Sequence, residues 1–75
     1  MAKFYFDVCR GGEKIVDKEG TQFDNIGFAY RKAKQIVEVL VQEQKRGSYP
    51  FCSSWVEVQY SDRSIIFALP VVAAA

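Results

Sequence analysis

The sequence contains no histidine. Within one chain that excludes Ser-His-Asp and Cys-His catalytic arrangements. It leaves a zinc site only two cysteines and carboxylates to draw on, an unusual donor set. The two cysteines, Cys9 and Cys52, form no CxxC pair. Each is read as a small apolar filler. There is no charge excess, with ten basic and nine acidic side chains for a net charge of +1. A dedicated duplex-DNA binder usually carries a clear basic surplus. No stretch reaches the ~18 apolar residues of a membrane span. Met1-Ala2-Lys3-Phe4 lacks the apolar run of a signal peptide. The expected compartment is the reducing cytoplasm, where a structural disulfide is not expected.

What is present describes a globular domain. Hydrophobic residues make up 49% and charged residues 25% of the 75 positions, an ordinary balance for a folded protein. The whole chain, 1–75, is read as one domain, with 71–75 expected to fray. A chain this short buries only about 60% of its unfolded surface. Domains of this size often need a disulfide, a metal or a partner subunit.

Lys3 to Cys9 alternates, with Phe4, Phe6 and Val8 on one side and Tyr5, Asp7 and Cys9 on the other. That period of two predicts a strand. Arg10-Gly11-Gly12-Glu13 supplies a turn, and Lys14-Ile15-Val16 a short second strand. Asp17-Lys18-Glu19-Gly20 marks another turn, beyond which Thr21-Gln22-Phe23 briefly extends the strand. Asp24 or Asn25 caps a helix. Ile26, Ala29, Ala33, Ile36, Val37 and Leu40 then share one helical face. Arg31, Lys34, Glu38, Gln42 and Lys45 lie opposite. The stripe is flanked by Tyr30 and Val41 on one side and by Phe28 and Val39 on the other. Lys45, Arg46 and Gly47 predict the helix end. A loop follows over residues 48–53. Trp55 to Tyr60 and Ile65 to Leu69 alternate as two further strands around the turn Ser61-Asp62-Arg63-Ser64. Pro70 ends the ladder or marks an edge strand, because proline cannot donate a ladder hydrogen bond.

The predicted fold is α+β, in the order β-β-α-β-β: an antiparallel sheet with one amphipathic helix packed on one face. The expected helix-facing set is Phe4, Phe6, Val8, Ile15, Phe23, Val56, Val58, Ile65, Phe67 and Leu69. The opposite face carries Tyr5, Asp7, Cys9, Val16, Trp55, Glu57, Gln59, Ile66 and Ala68. That second face is mixed, not polar. Tyr5, Val16, Trp55 and Ile66 form the candidate interaction face.

The chain resembles a family of short bacterial domains of unknown function. The resemblance rests on Phe4-Tyr5-Phe6-Asp7-Val8, Gly12 and Asp17-Lys18-Glu19-Gly20, then Asp24, Ala29 and Ala33. It continues through Val56-Glu57-Val58 and Asp62 to Leu69-Pro70. It covers nearly the whole chain, and it implies the same architecture and no known activity. Two departures stand out. Arg63 occupies a turn position where glycine is common, and the 48–53 loop carries the extra aromatics Tyr49 and Phe51.

Asp17, Glu19 and Asp24 are oxygen donors close in sequence, as calcium or magnesium requires. They are equally good turn and cap formers, match no EF-hand loop, and are read as structural. Glu13 and Asp17 could be paired carboxylates, but nothing points to a cleft between them. No catalytic residue, metal ligand or cofactor site is assigned, and an enzyme is not expected. Arg31, Lys32, Lys34, Lys45 and Arg46 make one helix surface basic, interrupted by Glu38 and Glu43, and it is read as a solvated surface. The leading expectation is a protein-interaction module that self-associates as a homodimer. The alternative is single-stranded nucleic acid, chiefly RNA, stacked on Tyr5 and Trp55. Against it, Asp7 and Glu57 share that face and repel phosphates.

Overall fold

The structure is a computed structural model and describes residues 2–45 and 54–71. The chain runs β1 (Ala2–Arg10), β2 (Glu13–Ile15), β3 (Thr21–Phe23), α1 (Ile26–Lys45), β4 (Ser54–Gln59) and β5 (Ile65–Pro70). All strand pairings are antiparallel. The sheet order is β2-β1-β4-β5, with β3 also paired to β1. The expected α+β architecture is present, with one more strand than β-β-α-β-β because Thr21–Phe23 pairs independently.

Gly11 and Gly12 both have positive φ (57° and 83°). That is the backbone of a two-residue primed turn, and it matches the twist of the strands it joins. It sets Arg10 opposite Glu13 and Val8 opposite Ile15. On the same edge of β1, Ala2 to Phe4 pair with β3. The gap between the two partners is filled by a side chain. The Phe6 N–H donates to Asp17 Oδ2 at 3.1 Å, while Asp17 Oδ1 accepts from the Glu19 and Gly20 N–H groups. Asp17 therefore forms its own turn and completes the edge of β1.

The helix is capped by Asn25, whose Oδ1 accepts from the Phe28 N–H at 3.3 Å. Ala29 and Ala33, both fully buried, let the helix backbone approach the sheet. Phe4, Phe6, Val56, Val58 and Val71 complete the buried core, with Val8, Phe23, Ile36, Val37, Leu40, Phe67 and Leu69 packed around it. Phe23 packs its ring against Phe4 and Phe6.

Three positions differ from the expected pattern. Ile15 shares Val8's side of the sheet but is 50% exposed, because β2 lies beyond the cover of the helix. In β5 a register shift puts Ile65 opposite Gln59 and Phe67 opposite Val58. The extra residue breaks the alternation, so Ile66 packs against the core while Ile65 is 60% exposed. The ladder also continues past Pro70, since the Val71 N–H donates to the Ser54 carbonyl and Val71 is buried. The expected helix stop at Gly47, the loop aromatics Tyr49 and Phe51, Cys52 and residues 72–75 lie outside the described residues.

Candidate functional site

The sheet face turned away from the helix is built from facing pairs on β1 and β4: Tyr5 with Gln59, Asp7 with Glu57, and Cys9 with Trp55. Alternation places all six side chains on that face. At its centre Asp7 is 2% exposed, although no helix or second sheet covers it. Polar side chains cover it instead. Asp7 Oδ1 accepts from the Asp17 N–H at 2.9 Å, and Oδ2 accepts from Gln59 Nε2 at 2.8 Å. Arg63 Nη1 lies 3.3 Å from Oδ1 and Lys14 Nζ 3.6 Å from Oδ2. Lys14 also reaches Glu57 Oε1 at 3.1 Å, and Trp55 Nε1 donates to Glu57 Oε2 at 3.0 Å.

Arg63 comes from the β4–β5 turn. The Arg63 N–H donates to the Tyr60 carbonyl at 2.9 Å, the Tyr60 N–H to the Ser64 carbonyl at 3.0 Å, and Arg63 itself has φ +72°. This left-handed position in a three-residue loop normally belongs to glycine. Its side chain supplies the compensation. Nη2 donates to the Asp17 carbonyl at 2.9 Å, Nη1 to Gln59 Oε1 at 3.2 Å, and the guanidinium sits 3.7 Å over the Tyr5 ring. Asp62 Oδ1 closes the turn by accepting from the Ser64 N–H and hydroxyl.

The titrations follow from these contacts. Burial alone would raise the Asp7 pKa, but the Asp17 N–H, the Gln59 amide, Arg63 and Lys14 together hold it below its ordinary value. The Trp55 indole and Lys14 lower that of Glu57 despite partial burial. The hydrogen bond to Glu57 raises Lys14. Burial, with Glu57 beside it, pushes the Cys9 thiol up. At neutral pH these are fixed charges and a protonated thiol, not an acid–base pair poised to exchange protons.

The four residues of the candidate interaction face do not form one surface. Tyr5 lies under Arg63. Trp55 is four β1 positions further along, with the Asp7–Glu57 pair between them. Val16 is half exposed just past β2, and Ile66 packs on the core. Of the three acids weighed as cation ligands and read as structural, Asp17 commits both oxygens to backbone N–H groups, and no cluster of three or more potential ligands occurs among the described residues.

Exposed apolar surface collects elsewhere. Ile26 opens the helix, Tyr30 follows one turn later against Phe67 of β5 (ring centroids 5.7 Å apart), and Tyr60 contacts Phe4 (6.1 Å). Ile65 begins β5 opposite Gln59. These four residues are 44–60% exposed; Ile65 lies on β5, the outer strand of the sheet, and Tyr30 packs against Phe67 of the same strand. Period-two reasoning missed this patch because the register shift in β5 and the helix flank meet only in three dimensions.

No helix among the described residues is long and apolar enough to cross a membrane. Searches of curated proteins and of solved structures each found no match. A family model does match, over residues 3–73, and its description is a domain of unknown function, DUF6894. The chain therefore belongs to the DUF6894 family.

Proposed function

We propose that the domain is a non-enzymatic protein-interaction module that self-associates as a homodimer through the open edge of β5 and the apolar patch beside it. The observation that carries this reading is the exposure of Ile65 on the outer strand β5 and of Tyr30 packed against Phe67 of that strand. The other edge of the sheet consists of two three-residue strands, β2 and β3, with Asp17 bonded to β1 in the gap between them, whereas β5 offers six residues with no partner on its outer side among the described residues. Proteins avoid leaving a six-residue edge beside apolar side chains uncovered, since such an edge templates pairing. Two copies meeting antiparallel across a two-fold axis would cover both edges with the same residues. Each Å² of apolar surface buried adds about 25 cal/mol, which matters for a small domain of marginal stability.

The test is native mass by light scattering behind gel filtration, at micromolar concentration and in 0.5 M salt. A mass near twice 8.5 kDa is expected for the parent chain. Ile65→Lys places a charge on the edge and is expected to give a folded monomer. A parent chain that elutes as a monomer overturns the proposal. So does an Ile65→Lys dimer that Tyr30→Ser also leaves intact.

Nucleic-acid stacking on the sheet face has less support. Arg63 already occupies the Tyr5 ring, and the carboxylates of Asp7 and Glu57 lie between it and Trp55.

A further inference from the structure

A second surface lies on the opposite flank of the helix. Thr21 and Phe23 of β3 form one wall of an open groove of about 440 Å³, and Phe28, Arg31, Lys32 and Gln35 of α1 form the other. That volume is in the range of pockets that hold small molecules or single groups of larger ones. The lining has two cations and no carboxylate. The nearest acid in sequence, Asp24, precedes the helix.

Among the described residues neither cation meets a carboxylate. Among the described residues the carboxylate pairs are made by Arg10, Lys14 and Arg63. Arg31 instead lies 5.8 Å over the Phe28 ring and Lys32 lies 5.9 Å over the Phe6 ring. Phe28 is 44% exposed, so much of an apolar ring faces solvent beside the Arg31 guanidinium. Thr21 and Gln35 add hydrogen-bonding groups. A flat apolar ring, two cations with no carboxylate partner among the described residues and polar groups along one groove match a planar ring linked to an anion. That chemistry is a nucleotide of an unpaired strand, with the base stacked on Phe28 and the flanking phosphates met by Arg31 and Lys32.

We infer that this groove between β3 and α1 binds single-stranded nucleic acid. The site is separate from the β5 edge, so binding and self-association are independent properties. Duplex DNA does not fit the arrangement, because its bases are not free to stack. The near-neutral net charge agrees with a short local contact and not with a long electrostatic track.

The experiment is fluorescence anisotropy with end-labelled oligo(dT) and oligo(U), and with a duplex of equal length. The parent chain is expected to bind a single strand at micromolar concentration and the duplex at least about tenfold more weakly. The logarithm of affinity should fall with the logarithm of salt at a slope of about −1.4, as two phosphate contacts on a single strand require. Phe28→Ala should weaken binding about tenfold or more, and Phe28→Trp should retain it. Both sit at an exposed position, and unchanged thermal melting confirms that each variant folds. Arg31→Gln should flatten the salt slope. The inference is overturned by an absence of binding, by equal binding to duplex, by equal binding of an acidic peptide, or by affinity indifferent to Phe28→Ala.

Discussion

The two faces of this sheet are buried by opposite means. On the helix side, Phe4, Phe6, Val56 and Val58 are covered by Ala29, Ala33 and their neighbours, and the buried cluster is made of apolar side chains. On the other side Asp7 is as thoroughly buried as Phe4, yet its cover is an amide, a backbone N–H and two cations. The first face gains from leaving water. The second is buried only because every polar atom there is matched; among the described residues no buried side-chain nitrogen or oxygen lacks a partner. Apolar cover tolerates small rearrangement, whereas polar cover fails as a set when one member is withdrawn.

The largest effect should come from the apolar side. Phe4→Ala leaves a cavity beneath Phe23 and Tyr60 and is expected to cost about 3–5 kcal/mol in chemical denaturation. On the polar side, Asp7→Ala strands Gln59 and the Asp17 N–H. Arg63 and Lys14 are partly exposed and can turn to water, so the loss should fall near the lower bound for a broken buried pair, about 3 kcal/mol. If Asp7→Ala proves harmless, the polar face is decoration and the contrast drawn here fails.

Acid should separate the faces without mutation. Asp7 and Glu57 have folded pKa values below their ordinary 3.8 and 4.5. Depressed carboxylates contribute stability that is complete above those ordinary values. It is lost as pH falls through them toward the folded values. Stability of the parent chain should therefore decline below about pH 5, and the decline should be shallower in Asp7→Asn. Equal unfolding free energies from urea titrations at pH 3 and 7 would show that the cluster does not sense protons.

The smallest effect is the most diagnostic. Arg63→Ala keeps the left-handed backbone and loses the side-chain contacts; Arg63→Gly loses the same contacts and relieves the backbone. The glycine variant should be the more stable of the two by about 1 kcal/mol. Near-equal melting temperatures would mean that the turn carries no strain.

The apolar face was largely legible in the sequence, because alternation in β1 and β4 and the alanine spacing in α1 report directly on what points inward. The Asn25 cap was one of two alternatives, and geometry chose between neighbours. Ile15 takes the expected side, but the period of two does not say whether anything lies above it; Ile65 and Ile66 escape the pattern because the register shift in β5 breaks the alternation itself. The polar face was legible only as a row of side chains. Nothing local says that Arg63 reaches back across 56 positions to Asp7, or that Asp17 stands in for a missing strand partner. Arg63 did leave a trace, as a side chain where turns of this kind carry glycine.

The central position of β1 has a consequence for how the chain is made. Its first lateral partners arrive within a few residues, but β4 begins at Ser54, far downstream of Arg10. At roughly 5–20 residues per second of synthesis, β1 waits about 2–9 s for that neighbour. During that interval Phe4 and Phe6 are already made, and the strand that pairs with β1 on its other side is not yet translated. The neighbours available early are β2, β3 and the Asp17 side chain, all on one side. They shelter half of an aggregation-prone segment during translation, before the domain can fold.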